Sequence, residues 1–395
     1  SYLTSSYPTL GATYAPTTVA YSASSKAYPP TYIYNNASGT LGVWNFLFGN
    51  KTFIGWTVNG NIATSTDLTT WVTKGIPNQP ILQGQNALSS TGSTSTYTNP
   101  ALNGWIGVAY GAGRLVAVRP LTSNQTYLSA YGLSAMSLDG GSTWTFGSMP
   151  TYNTTYSPFS GEKMNYILLV YGNGQFLAFG WYAESGGSNI MFVTRSSDGV
   201  SWSDLNYIGA ITTQAAAVAY GNGVWVFFTG VSSQCYISTT NARGWSAGGN
   251  PSANFTKAVA FGAGLFVAVG TNTTPAATST YYTSPDGVTW TSRTLPATQS
   301  WSSITYANGY FVAVGSTGAA STTVVTSPDG INWTAQTVPS STTRSIVAGG
   351  NGKFVYGNDP SAQTITQINL SASATTFTLP MITTPPFGGP SGSAT

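Results

Sequence analysis

The chain has 395 residues, of which 5% are Asp, Glu, Lys or Arg; twelve side chains are basic, nine acidic and none is histidine, for a formal net charge of +3. A soluble protein ordinarily carries about 25% charged residues, so Ser, Thr, Gly, Ala and Tyr must fill this surface, and so small and scattered a charge argues against a nucleic-acid partner. Without histidine and with Cys235 as the single cysteine, a zinc centre, a Ser-His-Asp triad and an internal disulfide are excluded, and no cofactor or metal is expected.

Residues 1–40 form the first segment. Tyr7, Tyr14, Tyr21 and Tyr28 are spaced by seven, but Pro8, Pro16, Pro29 and Pro30 break any helix. The expectation is an extended arm, with a reach of about 100 Å at full stretch. It is a flexible terminus, a wrapper on its own body, or an arm paired with a strand edge of a neighbouring copy. Self-association through this arm is the partner expectation.

Residues 41–380 are repetitive. A glycine-rich turn followed by an apolar run recurs seven times, at Phe48, Tyr110, Tyr171, Tyr220, Phe261, Tyr306 and Gly349. A second signature follows each of the first six: STDLTTW from Ser65, SLDGGSTW from Ser137, SSDGVSW from Ser196, STTNARGW from Ser238, SPDGVTW from Ser284 and SPDGINW from Ser327. The seventh decays to INLSASATTF. The later copies are a little over forty residues apart, the length of a four-stranded propeller blade. In the sixth copy the strands read as Ser303–Tyr306, Tyr310–Val314, Thr322–Thr326 and Trp333–Gln336. The Gly/Asn turns supply the positive φ of tight hairpins. The continuous apolar second strand suits a sheet covered on both faces.

The second signature resembles the Asp-box repeat of bacterial neuraminidases, S-x-D-x-G-x-T-W, which Ser137–Trp144 matches throughout. The resemblance implies an all-β, seven-bladed propeller of four-stranded antiparallel blades. It implies structural roles for Asp67, Asp139, Asp198, Asp286 and Asp329, and for Trp71, Trp144, Trp202, Trp245, Trp290 and Trp333. The copy at Asp67 lacks the glycine and the one at Ser238 lacks the aspartate.

Long inserts separate the first three copies, at Gly75–Trp105, Pro120–Leu133, Gly147–Asn165 and Gly180–Asn189. All fall between second and third strands or between copies, so they gather on one face. Their Tyr127, Tyr131, Tyr152, Tyr156, Trp181, Tyr182 and Glu184 are the candidate ligand contacts, by stacking on sugars and bonding their hydroxyls. Residues 381–395 form a Pro/Gly-rich extended tail.

The neuraminidase resemblance also implies an arginine triad, a Tyr/Glu pair and an acid. Outside the Asp-box turns only Glu162, Glu184, Asp204 and Asp359 remain as acids, and the arginines form no evident triad. Eight N-x-S/T sequons occur. Asn36, Asn124, Asn153 and Asn272 are the glycosylation candidates. No apolar run approaches the about 18 residues of a membrane-spanning helix. The start at Ser1 fits removal of a leader, hence an extracellular, cell-surface or virion-surface location. The functional expectation is a secreted, non-enzymatic structural or adhesive subunit of a surface assembly. A glycan-binding or receptor-binding propeller is the alternative, and a sialidase-like hydrolase the third.

Overall fold

The computed structural model describes residues 20–27, 45–56, 60–76, 105, 107–119, 133–150, 164–183, 189–203, 205–211, 215–229, 234–251, 256–271, 277–316, 321–341, 347–359 and 364–371. Every regular element among them is a β-strand. β1 (Ala20–Ala27) precedes the repeats. The first repeat folds as β2 (Asn45–Gly49), β3 (Thr52–Trp56), β4 (Asn61–Ser65) and β5 (Val72–Gly75). The second gives β6 (Gly107–Gly111), β7 (Arg114–Arg119), β8 (Leu133–Ser137) and β9 (Thr145–Ser148). The third gives β10 (Met164–Gly172), β11 (Gln175–Ala183), β12 (Asn189–Ser196) and β13 (Asn206–Ile211). The fourth gives β14 (Ala215–Gly221), β15 (Val224–Thr229), β16 (Cys235–Ser238) and β17 (Ser246–Ala247).

Each of these repeats is one antiparallel four-stranded sheet in sequence order. The fifth and sixth differ. β18 (Thr256–Gly262), β19 (Leu265–Gly270), β20 (Thr278–Ser284), β21 (Thr291–Ala307), β22 (Tyr310–Ser316), β23 (Ser321–Ser327) and β24 (Thr334–Ser341) form one seven-stranded sheet. β21, 17 residues long, pairs with β20 through Thr291–Gln299 and with β22 through Ser300–Ala307. The seventh repeat contributes β25 (Val347–Gly350), β26 (Lys353–Asp359) and β27 (Thr364–Ser371), and β1 completes its sheet in the order β1-β27-β26-β25.

The expectation of seven separate four-stranded blades is therefore corrected. Five sheets have four strands and one has seven, because the connection between the fifth and sixth repeats stays extended and never leaves the ladder. Of the expected arm, residues 20–27 are described. They are the outer strand of the seventh repeat's sheet, paired with β27 in an unbroken register from Ala20↔Ser371 to Ala27↔Thr364. Residues 381–395 lie outside the described residues.

The first strands of successive repeats lie against one another in turn, and β25 lies against β2, so the sheets close into a ring. The apolar second strands are buried on both faces: Leu115–Val118, Phe176–Phe179, Phe266–Val269 and Phe311–Val314 are inaccessible to solvent. The core is thus a series of slabs between neighbouring sheets, not one central mass. At each first hairpin Asn50, Ala112, Asn173, Asn222, Ala263, Asn308 or Asn351 has φ between 47° and 51°, the left-handed turn that Gly and Asn tolerate best.

A second use of glycine holds the ring together. The glycine ending each first strand faces an aromatic ring of the next repeat. A Cβ at Gly49 would collide with Tyr110, at Gly111 with Tyr171, at Gly221 with Phe261, at Gly262 with Tyr306 and at Gly350 with Phe48. At Gly172 it would meet Tyr220 Cβ at 3.0 Å and Trp225 at 2.7 Å. One joint departs from this scheme. Between the sixth and seventh repeats Ala307 replaces the glycine and Gly349 replaces the aromatic residue, and the Phe354 ring covers the vacated place.

Candidate functional site

The two faces of the ring carry different chemistry. On the face of the first and third hairpins, the third-to-fourth turns bind their own serine and aspartate. In the second repeat Ser137 Oγ donates to Asp139 Oδ1 at 2.8 Å and accepts the Gly141 N–H at 2.7 Å. Asp139 Oδ1 then accepts the N–H groups of Ser142 and Thr143 at 2.8 and 2.9 Å. The same pattern recurs around Asp67, Asp198, Asp286 and Asp329, with N–H to Oδ1 distances of 2.7–2.8 Å.

These carboxylates are held ionised. The Thr70 and Thr69 N–H groups bring Asp67 down to about 2. The Thr143 N–H and hydroxyl lower Asp139 further. The Thr289 N–H leads the lowering of Asp286. At Asp198 and Asp329 burial raises the pKa, and the turn's N–H groups outweigh it. A carboxylate so occupied is a turn support and a poor general acid.

The two irregular turns reach the same shape by other means. Leu68 adopts φ 64° where the others have glycine, and Ala242 adopts φ 61° in the fourth repeat; both side chains are fully buried. Thr240 stands where the aspartate would be, its hydroxyl 3.4 Å from Ser238 Oγ and donating to Gly244 O at 3.3 Å. The turn tryptophans are half-buried and pack between their own repeat and the preceding one. Trp71, Trp144, Trp202, Trp245, Trp290 and Trp333 each border a different core slab. Trp144 and Trp290 also donate to Gly141 O and Gly287 O at 3.1 Å.

The strand ends from which the inserts depart are on the opposite face. Tyr127, Tyr131, Tyr152, Tyr156 and Glu184 lie outside the described residues, as do the sequons at Asn36, Asn124, Asn153 and Asn272. Trp181 and Tyr182 end β11 on this face. The half-buried Trp181 indole packs on the slab containing Leu177, Phe179 and Phe227, and its Nε1 has no partner among the described residues.

A pair not singled out from the sequence lies nearby. Arg119, the last residue of β7, sets its guanidinium 5.8 Å from the ring centroid of Trp105, just before β6. Burial lowers the Arg119 pKa from its ordinary value, and the ring face offsets part of that cost. The signal was the run RLVAVR, which closes an apolar strand with a charge.

Of the four acids outside the turns, Glu162, Glu184 and Asp204 lie outside the described residues, and the Asp359 side chain is not described. Glu162 nevertheless stands two residues before Met164 and Glu184 two residues after Tyr182, and Met164 and Tyr182 are register partners on β10 and β11. Both glutamates are therefore tethered to one end of one hairpin ladder, on the insert face. Among the described residues no group of three His, Cys, Asp or Glu gathers to hold a metal. No helix there is long and apolar enough to cross a membrane.

No family model matches the chain, and no curated protein matches it. Solved structures do. YCF48 bound to D1 peptide superposes with a TM-score of 0.52 at 12% identity, covering 91% of this chain and 96% of that one. The GH74 xyloglucanase of Xanthomonas campestris superposes with a TM-score of 0.53 at 14% identity, covering 86% of this chain and 52% of that one. The chain is a β-propeller. It spans about half the length of the xyloglucanase. A sialidase of Trypanosoma rangeli in complex with the inhibitor DANA also matches, with a TM-score of 0.42 at 13% identity over 67% of this chain and 54% of that one.

These neighbours overturn two expectations. The role of structural or adhesive subunit in a surface assembly finds no counterpart in YCF48 bound to D1 peptide or in the GH74 xyloglucanase. The expectation of a non-enzyme falls with it, since the same architecture carries a xyloglucanase. It had rested on the shortage of free acids. That shortage is no obstacle, because two of the four acids outside the turns, Glu162 and Glu184, belong to inserts, where propeller scaffolds keep their variable chemistry.

Proposed function

We propose that the chain is a glycoside hydrolase-type propeller that acts on a polysaccharide across its insert face, with Glu162 and Glu184 as its acid pair. The observation that carries this is the register of β10 and β11: Met164 opposite Tyr182 and Asn165 opposite Trp181. That ladder tethers two of the nine acidic residues to the same end of one hairpin. Glycoside hydrolysis commonly uses two carboxyl groups, about 5–5.5 Å apart for retention or 6.5–9.5 Å for inversion. Trp181 at the open end of the hairpin and Arg119 over Trp105 on the preceding repeat offer an aromatic edge and a guanidinium to sugar rings and hydroxyls. In this reading the seven-stranded sheet counts as two blades of a seven-bladed ring, and the serine–aspartate turns are Asp boxes.

The test is release of reducing ends from a panel of xyloglucan, arabinan and sialylated glycans. Hydrolysis of at least one is the expected result. Glu162→Gln and Glu184→Gln should each lower its rate on the order of 10²–10⁴-fold without changing Tm. No turnover across the panel, or turnover indifferent to both substitutions, overturns the proposal.

A further inference from the structure

The outer strand of the seventh repeat's sheet is the one outer strand drawn from another part of the chain. β27 is bordered by β1, from more than three hundred residues earlier. Four of the other outer positions, in the first, second, fifth and sixth repeats, are anchored by a buried apolar residue at or just after the strand. Ile76, Met149, Leu295 and Val338 are 1–3% exposed, and each precedes a proline, Pro77, Pro150, Pro296 and Pro339. The seventh repeat has the same pair in its sequence, Leu379-Pro380, yet β1 holds the place beside β27. β1 reads AYSASSKA. Its described contact with the core is Ala23, at the edge of the slab formed by Val338, Phe354 and Ile368. Beyond the backbone ladder, Asn369 Nδ2 donates to Ser22 Oγ at 2.9 Å. The described hold is a backbone ladder with the small side chains of Ser22 and Ala23, the mode by which a sheet edge accepts a strand from elsewhere.

We propose that the edge of β27 accepts the N-terminal strand of a second copy of this chain, so that two chains exchange β1. Exchange preserves the whole Ala20–Ala27 ladder, since donor and acceptor are the same sequences in either arrangement. The cost is confined to the connection, residues 28–44. Those seventeen residues have a reach of about 55 Å when extended. A connection of this reach lets β1 pair with its own sheet or with a neighbour's, and concentration decides between the two.

The test uses the register. Ser22 faces Asn369 directly, so Ser22→Cys and Asn369→Cys are prepared as two full-length chains with tags of different size. They are mixed at high concentration, held at a temperature just below Tm, and oxidised. A disulfide-linked heterodimer is expected, absent from either chain alone and lost when excess peptide of residues 20–27 is added. The double variant in one dilute chain should form the internal link. An internal link without any heterodimer overturns exchange and leaves β1 a purely internal clasp. No link in either arrangement overturns the contact itself.

Discussion

The joint between the fifth and sixth repeats and the joint between the sixth and seventh are built from the same positions and solve the same problem differently. In the first, Gly262 lies under the Tyr306 ring, and Trp333 packs edge-on to Tyr281, centroids 5.6 Å apart, with Tyr281 donating to Gly330 O at 3.1 Å. In the second, glycine and aromatic residue have each gone, and Ala307 meets Gly349 under Phe354. The lesson is that glycine and ring are one unit: losing the ring permits a Cβ opposite, and the space passes to a neighbouring phenylalanine.

Substitution at these joints should give the largest effect. Gly262→Val puts side-chain atoms into the Tyr306 ring, which is already against Phe311 at 4.6 Å between centroids. Overpacking of this kind costs about 1–3 kcal/mol or more. At the other joint Ala307→Gly removes one methyl group without a clash and should cost about 0.5–1 kcal/mol. Thermal unfolding followed by circular dichroism separates the two. Equal losses would break the comparison and mean that the aromatic–glycine contact is not what holds the ring.

Much of this was readable beforehand, for physical reasons that particular residues make plain. The hairpin at Tyr306–Tyr310 and the turn at Ser327–Trp333 are local, with conformations fixed by Gly, Asn, Asp and Ser within a few residues. What lay beyond reach was non-local. Nothing in AYSASSKA marks it as the partner of β27, because a backbone ladder leaves little trace in side chains. The continuity of β21 leaves no mark in the sequence either: Pro296 is a residue that ordinarily ends a strand, yet Leu295 remains buried and the strand passes from one partner to the other around it. Glu162 and Glu184 belong to inserts of one face in the sequence already, but only the register of β10 and β11 ties these two acids, 22 positions apart, to one ladder end.

A middle-sized effect should appear with acid. The five turn carboxylates have lowered pKa values, Asp67 at about 2. A lowered carboxyl stabilises the fold fully above its unfolded value near 3.9 and loses that stabilisation as pH falls through the folded value. Tm should therefore hold from neutral pH to about pH 4.5 and fall progressively below about pH 3.5. The fourth repeat sharpens the comparison, since Thr240 has no charge to lose. Asp286→Asn should lower Tm at pH 7 and flatten its decline with acid. The same slope in variant and parent would remove the turn carboxylates from the account.

The smallest effect concerns Cys235. It is 2% exposed, packed in the slab between the fourth and fifth repeats, with Sγ 3.5 Å from Gly287 O. Burial pushes its thiol up to about 12. Since the thiolate is the reactive form, the folded chain at pH 8 should take up no thiol reagent on a timescale of minutes and react fully once denatured. Reactivity then reports opening of one slab. In the Ala307→Gly chain, whose altered joint is two slabs away, the labelling rate should match the parent. In a Gly221→Ala chain, whose added methyl meets Phe261 in the cysteine's own slab, it should rise. If both chains label equally fast, the slabs open together, and the ring is a single cooperative unit instead of a series of separable joints.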